Sequence, residues 1–506
     1  MSAARYLARA AAPLLVAACF NPTGQVDTSD TLTSTTSAST TIDTGSSTTA
    51  TATGTTVETT SSATSDATAT TTTGTSGTTT AGGGCDDEPD PNGYCLAVDP
   101  KKPFCDLEGG VCAECVAKED CGSNGVCDVD AGVCVDCVED MDCPNAEAPA
   151  CDPATKTCGC TEHDQCPATA CELDVGTCFP PALTAVVHVR PSMGPECPQN
   201  DLICDAIQPC CSIDAALDNA LTMGKAYVVV RVEPGVGDMP DHAFDFPGAA
   251  IGKRIAILGE GEPVIESATG APAIFINQAI KFYGAGLRLR AVNMGMAGAG
   301  LSCYTSTGAW IDDVVIESFG NGVGLFTAAC PMQARRVQIR AVKGGAWASA
   351  GGSMRLVNTT IAEPKDYALK GDMGGTMDVV FSTITERSGI SGHLLTCTGA
   401  GTKILARNSA LLANPEAGSS ACAGAKVSSS VVTDVAFQGA TVAVIAQGEV
   451  APLFVDWLGG DLHVLPSATV LDGVAAREAG DPVTDLDREV RPLTIGASDW
   501  AGADRP

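Results

Sequence analysis

The sequence predicts an all-β protein whose largest part, residues 183–500, is a parallel β-helix. Only 4% of the residues are aromatic and 55 are glycine, a composition that suits thin stacked coils filled by aliphatic side chains. An aliphatic residue also recurs about every 22 residues in strand–turn–strand segments. The recurring residues are Ile316, Ile339, Ile361 and Ile384, with approximate matches at Leu289 and Leu411. A repeat of this length corresponds to one coil of a β-helix.

The first residues have the pattern of an export signal. Arg5 and Arg9 make the start positive, and residues 10–18 form an apolar run too short to span a bilayer. The run ends VAAC, with the cysteine at Cys19, and resembles the lipobox of bacterial lipoproteins. This resemblance implies a signal peptide over 1–18 and a lipid on Cys19, and Phe20 at the next position implies sorting to the outer membrane. An ordinary secretory signal is the alternative.

Residues 19–84 are interpreted as the lipid anchor and a disordered linker. From about residue 27 to residue 80 the chain is almost entirely Thr, Ser, Ala, Gly and Asp. Such a segment cannot bury enough apolar surface to offset the entropy lost on ordering. We therefore expect a tether that carries the rest of the chain, exposed at the cell surface, away from the membrane.

Residues 85–180 contain a repeat of four cysteines with a period of about 22 residues. Three units begin at Cys115, Cys137 and Cys160, and each has an acidic run before its second cysteine. Each unit has too few apolar residues for a core, so two disulfides per unit are expected to stabilise it. The spacing resembles the short Cys-rich repeats of secreted myxobacterial proteins.

Two metal sites are the alternatives within this module. The pairs Cys112/Cys115 and Cys134/Cys137 have the CxxC spacing of zinc ligands. Asp128 and Asp130 belong to a fragment of a calcium-loop pattern that ends at Gly132. Because the chain is exported, disulfides are preferred to zinc. No cofactor is expected, with calcium as the one open possibility.

The start of the β-helix domain reads as strand, loop, helix and strand. Residues 186–190 and 228–232 are β-branched runs, and Ser212 can cap a short helix between them. The loop contains four cysteines, and adjacent cysteines rarely bond to each other. We therefore expect Cys210 and Cys211 to pair with Cys197 and Cys204, in an order left open.

Two more disulfides are expected between neighbouring coils. Cys303 and Cys330 each lie 14 residues after an aliphatic position of the repeat, Leu289 and Ile316. Equivalent positions on stacked coils are close enough to bond. Cys397 and Cys422 are 25 residues apart, and the same pairing is expected for them.

The two ends of this domain resemble a known superfamily. The opening CSIDAALDNAL with VVVRVEPGVGD is similar to the entry of right-handed parallel β-helix proteins of the pectin-lyase-like superfamily. The close resembles the terminal motif D-x-D-G-x-x-R with a later D-I-G-A-x-E. Here Arg488 stands where Gly is usual, and Thr494 and Asp499 replace the Asp and Glu of the second half. The resemblance implies a right-handed helix and says nothing about activity.

Many members of that superfamily cleave acidic polysaccharides with clustered carboxylates or with calcium and a basic residue. This chain has only fragments of their motifs. Coil stacking is expected to place four basic residues near the Asp312-Asp313 pair: Arg335, Arg336, Arg340 and Lys343. The candidate catalytic residues are Asp312, Asp313, Arg336, Arg340, Lys343 and His393. A solvated, salt-bridged face is the preferred interpretation of this group.

The net charge of the chain limits the classes of ligand that it is expected to bind. The formal net charge is −31, which argues against nucleic acid and against electrostatic adhesion to anionic lipid. Three functions remain. The preferred one is a surface-anchored, non-enzymatic lipoprotein, expected to be a monomer, that binds glycans or adheres to cells through its β-helix. The others are a polysaccharide lyase or hydrolase and a structural component of the envelope.

The lipid anchor gives the first testable prediction. Cys19→Ser removes the only atom that the lipobox resemblance proposes for acylation, so the variant should leave the membrane fraction. Fractionation followed by carbonate washing of the membranes measures this, with Cys303→Ser as the control for loss of a cysteine elsewhere. A Cys19→Ser protein that still sediments with washed membranes contradicts the anchor.

Overall fold

A computed structural model describes residues 84–191, 203–234, 244–246, 248–267, 270–293, 298–320, 322–340, 342–362, 364–386, 393–413, 422–433, 437 and 441–506. The expected signal peptide, Cys19, the linker and Cys197 lie outside these residues. Within them, no helix is both long and apolar enough to cross a bilayer.

Three long parallel sheets form a β-solenoid, and successive strands of the chain pass from sheet A to sheet C to sheet B. Sheet A contains Thr184–Val189, Tyr227–Val232, Arg254–Gly259, Lys281–Ala285, Gly308–Asp312, Pro331–Arg335, Ser353–Val357, Thr376–Val380, Lys403–Arg407 and Ala425–Ser428. Sheet B contains Phe244–Asp245, Ile274–Ile276, Ala299–Tyr304, Val323–Ala328, Gly344–Ser349, Tyr367–Asp372 and His393–Thr398. Sheet C contains Val264–Ser267, Arg288–Asn293, Val315–Gly320, Gln338–Arg340, Thr360–Ala362, Thr383–Thr385, Ala410–Leu412, Ser430–Val432 and Val442–Val444. The predicted parallel β-helix is confirmed.

The register of sheet C confirms the repeat read from the sequence. Leu289, Ile316, Ile339, Ile361, Ile384 and Leu411 are direct partners on consecutive strands, and all are fully buried. Glycines on sheet B make room for them. A Cβ on Gly300 would lie 2.2 Å from the side chain of Ile316, and one on Gly324 would lie 2.4 Å from Ile339. The high glycine content is therefore partly a packing requirement of the narrow core.

A short helix, Ile213–Thr222, packs against the first strands of sheet A. The Ser212 hydroxyl accepts a hydrogen bond from the Ala215 N–H at 3.2 Å, as expected for an N-cap. Ile213 and Leu217 belong to the same buried cluster as Val187 and Val230. The helix thus helps to bury the first coil, which has no preceding coil of its own.

The Cys-rich module has four units, one more than the sequence repeat indicates. The extra unit spans Cys85 to Cys112, and in every unit the first cysteine bonds the third and the second bonds the fourth. The eight bonds are Cys85–Cys105, Cys95–Cys112, Cys115–Cys127, Cys121–Cys134, Cys137–Cys151, Cys143–Cys158, Cys160–Cys171 and Cys166–Cys178. The first unit also has a helix, Pro91–Val98. The hairpin strands of the units are Phe104–Asp106, Val111–Ala113, Val126–Asp128, Val133–Val135, Ala150–Cys151, Cys158–Gly159, Cys171–Glu172 and Thr177–Cys178.

The residue before the second cysteine has a structural role in three of these units. The Asp120 carboxylate accepts hydrogen bonds from the N–H groups of Val116 and Ala117, and Asp142 accepts them from Val138 and Glu139. The Gln165 amide oxygen does the same in the last unit. Part of the acidic run in the second and third units, and Gln165 in the fourth, therefore satisfies backbone donors that have no partner in a strand or helix.

Residues 183–500, which the sequence predicts to be one β-helix, form the parallel solenoid and a C-terminal segment that follows it. Parallel strands extend to Val444, and the residues after them form two small antiparallel pairs, Phe454–Asp456 with Asp461–Val464 and Ala475–Ala476 with Ser498–Asp499. This C-terminal segment packs its apolar residues on the outside of the solenoid, over Val357, Val380 and Phe381. It covers one border of sheet A.

Candidate functional site

Asp312 and Asp313 lie where sheet A turns toward sheet C. Arg335 is the partner of Asp312 on the next coil, and its Nε donates to Asp312 Oδ1 at 3.1 Å. Arg336 donates to Asp312 Oδ2 at 2.6 Å and, through Nε, to Asp313 Oδ1 at 2.8 Å. The stacking of coils thus brings together the charged residues that the sequence placed here.

Two other parts of the chain complete this group. Glu162 of the fourth Cys-rich unit lies 2.9 Å from Arg336 and 2.8 Å from Arg488 of the C-terminal segment, and Arg488 lies 2.6 Å from Asp313. The Arg336 side chain is 1% exposed and that of Asp312 is 3% exposed. We call Glu162, Asp312, Asp313, Arg335, Arg336 and Arg488 the junction network.

The two aspartates of the junction network have pKa values shifted in opposite directions, and burial raises the pKa of Asp312 above its ordinary value despite Arg335 and Arg336. Burial by itself raises the pKa of Asp313, but Arg336 and Arg488 together outweigh it and hold that pKa below its ordinary value. His163 lies beside the network, and burial, helped by Arg335, lowers its pKa to about 3, so it is neutral. The expected solvated face is instead a buried network, because the Cys-rich module covers it. Its geometry serves to join three parts of the molecule.

The remaining catalytic candidates lie elsewhere. Arg340 donates to Gln338 on its own strand of sheet C. Lys343 lies 3.3 Å from Asp366, and the N–H of His393 donates to the Asp366 carbonyl at 3.1 Å at the start of sheet B. The six candidates therefore do not gather in one groove.

In the structure, the residues of the suggested zinc and calcium sites have other roles. Cys112, Cys115, Cys134 and Cys137 belong to four different disulfides, so they present no thiolates to a metal. Residues 128–132 form a hairpin turn with Gly132 at φ +64°. Asp128 lies 3.3 Å from Lys156, whereas Asp130 is exposed. The spacing of Asp128, Asp130 and Gly132, which resembles a calcium loop, is therefore the spacing of a hairpin turn.

The disulfides of the β-helix domain join the expected cysteines, but not at matching positions of the coils, because Cys303 is the direct partner of Thr327 and Cys330 lies three residues further along. Cys303 bonds Cys330 and Cys397 bonds Cys422, the pairs expected from the sequence. Cys204 bonds Cys210, and Cys211 is also in a disulfide. The first two bonds cross-link neighbouring turns of the solenoid, whereas Cys204–Cys210 closes a short loop before the helix.

The C-terminal motif is buried and attaches the C-terminal segment to the solenoid through hydrogen bonds. Arg491 is 1% exposed, and its guanidinium donates to Asp499 at 3.0 Å and to the Gly502 carbonyl at 3.0 Å. Asn358, on a solenoid turn, donates to the Thr484 carbonyl at 2.6 Å. Arg488, at the usual Gly position, has φ +68°, a conformation that favours glycine. This chain places there an arginine that reaches Glu162 and Asp313.

An aromatic strip runs along the outer face of sheet B. It consists of Phe275, Tyr304, Phe326, Trp347 and Tyr367, one on each of five consecutive strands. Their neighbours along the chain, such as Ile274, Cys303, Leu325, Ala346 and Ala368, are buried, so alternation directs the rings outward. All five rings are partly exposed. Successive ring centroids are 5.3, 5.0, 4.9 and 6.5 Å apart.

Lys370 adds a polar group to the aromatic strip. Its Nζ lies 4.1 Å from the Trp347 ring centroid and 5.4 Å from that of Tyr367. The indole N–H of Trp347 is buried and has no hydrogen-bond acceptor among the described residues. Five strands about 4.8 Å apart give the strip a length of about 19 Å. It offers aromatic side chains, tilted or edge-to-face against one another, beside the Lys370 ammonium and over the length of a short oligosaccharide.

A buried carboxyl group, that of Glu386, directly follows the sheet C strand Thr383–Thr385. Glu386 has no exposed surface, and neither of its carboxylate oxygens has a hydrogen-bond partner among the residues that the structure describes. Burial raises its pKa to about 7, although the nearby His393 acts in the opposite direction. Glu386 therefore holds a proton through much of the range in which ordinary glutamates are ionised.

Sequence reasoning missed the aromatic strip and Glu386. A low aromatic content suggested only that the core is aliphatic. Once the coil register is known, the signal for the strip is visible, because Phe275, Phe326 and Trp347 share one outward row. Glu386 follows the predicted strand around Ile384, but nothing in its local sequence indicates that it is buried.

One family model matches the chain. A family of unknown function, DUF8331, matches residues 119–184, which span most of the second Cys-rich unit, the third and fourth units and the start of the first strand of sheet A. The comparisons with curated proteins and with solved structures found no match. The match concerns the module that contributes Glu162 to the junction network.

Arg336→Gln should destabilise the protein by about 3–5 kcal/mol, because it leaves buried carboxylates without their partner. Lys343→Gln, the control, removes a half-exposed pair with Asp366 and should cost less than about 1 kcal/mol. Urea unfolding of the full chain measures both. Equal midpoints for the two variants would contradict a joining role for the junction network.

Glu386→Gln should stabilise the protein at pH 8 and have little effect near pH 5. A carboxyl whose folded pKa is raised keeps a proton that the unfolded chain releases, so its contribution to stability is lost as pH rises through about 7. After allowance for solvent screening, the gain at pH 8 should be about 2 kcal/mol. Thermal unfolding at the two pH values measures it, with the exposed Glu108→Gln as the control. A gain of the same size at pH 5 would contradict the raised pKa.

Proposed function

We propose that the chain is a surface-anchored, non-enzymatic lipoprotein that binds glycans through the aromatic strip on sheet B. The observation that carries this proposal is the set of five partly exposed rings in contact along one face, in a chain that has only 4 Trp, 6 Tyr and 12 Phe residues. A parallel β-solenoid is compatible with adhesive or carbohydrate-binding roles. The fold alone does not distinguish an adhesive role from carbohydrate binding, so the proposal of glycan binding rests on the aromatic strip.

The chemistry of the strip fits sugar rings. The negative face of an aromatic ring attracts the C–H groups on the apolar face of a sugar, and successive rings can hold successive sugars. Lys370 can donate to a sugar hydroxyl. The net charge of −31 disfavours polyanionic glycans, so the preferred ligand is a neutral polysaccharide.

The anchor and the linker complete the proposal. Cys19 holds the chain to the outer membrane, and the Thr/Ser-rich linker lets the folded part reach polymers away from the lipid. The lyase or hydrolase alternative has less support, because Asp312, Asp313 and Arg336 are engaged in the junction network. A purely structural envelope role leaves the aromatic strip without an explanation.

Affinity gel electrophoresis of the full chain in gels containing neutral polysaccharides tests the proposal. The wild-type protein should be retarded by at least one polymer, and Trp347→Ala should weaken that binding about tenfold or more. Tyr304→Ala in the strip and Tyr94→Ala on the first Cys-rich unit form a matched pair, of which only the first should lose retardation. No retardation across β-glucans, xylans, mannans and dextrans, or equal retardation of all variants, would rule out the proposed function.

A further inference from the structure

A groove runs along the outer face of sheet A, away from the aromatic strip. Its floor is one row of the sheet, in which Trp310, Gln333, Arg355, Asp378 and Leu405 are direct partners on consecutive coils. All five side chains are at least partly exposed. The groove has a volume of about 390 Å3, within the range of small-molecule sites.

A cleft under the Cys-rich module borders this groove. This cleft has a volume of about 380 Å3, and Trp310 and Gln333 line both cavities. Its other wall is made by the hairpin turns of the third and fourth units, with Thr155, Thr157 and Asp174 among the lining residues. The two cavities therefore meet at Trp310 and Gln333, and we call them together the trough.

The module holds this trough open with fixed contacts. Glu172 lies 2.6 Å from Arg254, and Asp174 lies 2.7 Å from both Lys281 and the Tyr283 hydroxyl oxygen. Tyr283 in turn stacks on Trp310, with ring centroids 5.3 Å apart and an interplanar angle of 19°. The indole is thereby fixed at the point where groove and cleft meet, and a preformed site loses less entropy on binding.

The lining of the trough selects the kind of ligand. It combines apolar surface, including the Trp310 indole and Leu405, with an amide, threonine hydroxyls, carboxylates and cationic groups, so hydrogen-bonding groups lie beside apolar ones. Arg355 is held in place, because its Nε lies 3.5 Å from Asp378 and its terminal NH2 group donates to the Gly480 carbonyl at 3.3 Å. A neutral polyhydroxylated chain can satisfy such groups without bringing a charge. An apolar partner helix would instead bury Arg355, Asp378 and Lys403 without hydrogen bonds.

A peptide strand fits less well. The floor is the face of a sheet, where backbone groups already bond to the neighbouring strands, so no free edge is offered for strand addition. We therefore infer that the trough on sheet A is a second oligosaccharide site, with Trp310 as its aromatic platform and Gln333 and Arg355 as hydrogen-bonding groups. Together with the strip on sheet B, which rests on the proposed function, it makes the protein bivalent for glycans.

Isothermal titration calorimetry of the full chain with neutral hexasaccharides tests this inference. The probes are β-1,4-linked hexamers of glucose, xylose and mannose. The wild-type protein should bind two equivalents of the recognised hexamer. Gln333→Trp, which fills the trough, and Trp347→Ala, which removes the centre of the strip, should each bind one, and the double variant should bind none.

The outcomes separate the two sites. One equivalent that is lost in Trp347→Ala and kept in Gln333→Trp overturns the second site and leaves the proposed function in place. One equivalent lost only in Gln333→Trp supports the trough and refutes the strip. Absence of binding to all three hexamers overturns the second site, and the affinity gels then decide the proposed function by themselves.

Two further measurements distinguish the loss of a binding site from the misfolding of a variant. Gln333→Lys keeps a polar side chain but adds a charge to the trough, and it should weaken the second site at least tenfold while the strip binds as before. Unfolding midpoints equal to that of the wild-type protein show that each variant is folded. If Gln333→Lys binds two equivalents with unchanged affinities, Gln333 is not part of a saccharide site and the inference fails.

Discussion

Each coil of the solenoid buries its aliphatic side chains only against the coils on either side of it. The isoleucine ladder on sheet C and the glycines opposite it on sheet B show how narrow the core is, because a single added methyl group at Gly300 or Gly324 would overlap the ladder. Such a core has no freedom to accept bulk at one coil and compensate at another. The period of about 22 residues, the glycine content and the inter-coil disulfides all follow from this constraint.

The same constraint explains how the ends and faces of the solenoid are covered. The helix Ile213–Thr222 packs on the first coils, and the C-terminal segment packs over Val357, Val380 and Phe381. The Cys-rich module has no apolar core of its own and is built from eight disulfides, yet it docks on sheet A with Ala170 and Phe179 against Val229, Ala256 and Leu258. The junction network then joins module, solenoid and C-terminal segment through Glu162, Arg336 and Arg488. Charges that look catalytic in the sequence are thereby used for assembly.

Along the strands of a solenoid, some side chains point into the core and others point outward. Aliphatic side chains occupy most inward positions, so aromatic side chains on outward positions are not needed for the core of the solenoid. The strip of Phe275, Tyr304, Phe326, Trp347 and Tyr367 and the platform at Trp310 both occupy such outward positions. Rigid coils hold these rings at fixed spacing, which is what recognition of an extended polymer requires.

The sequence by itself determined the features that repeat. Its period set the coil and its register, its cysteine spacing marked three of the four disulfide units, and the hydroxyl of Ser212 marked the start of a helix. These depend on local pattern, which the linear chain displays directly. The surfaces were decided only by the tertiary structure. Asp312 and Arg336 became buried when a module more than 130 residues earlier in the chain covered them, and five scattered aromatic residues became a strip when coils stacked. Burial and adjacency between distant segments depend on docking geometry, and no local pattern encodes that.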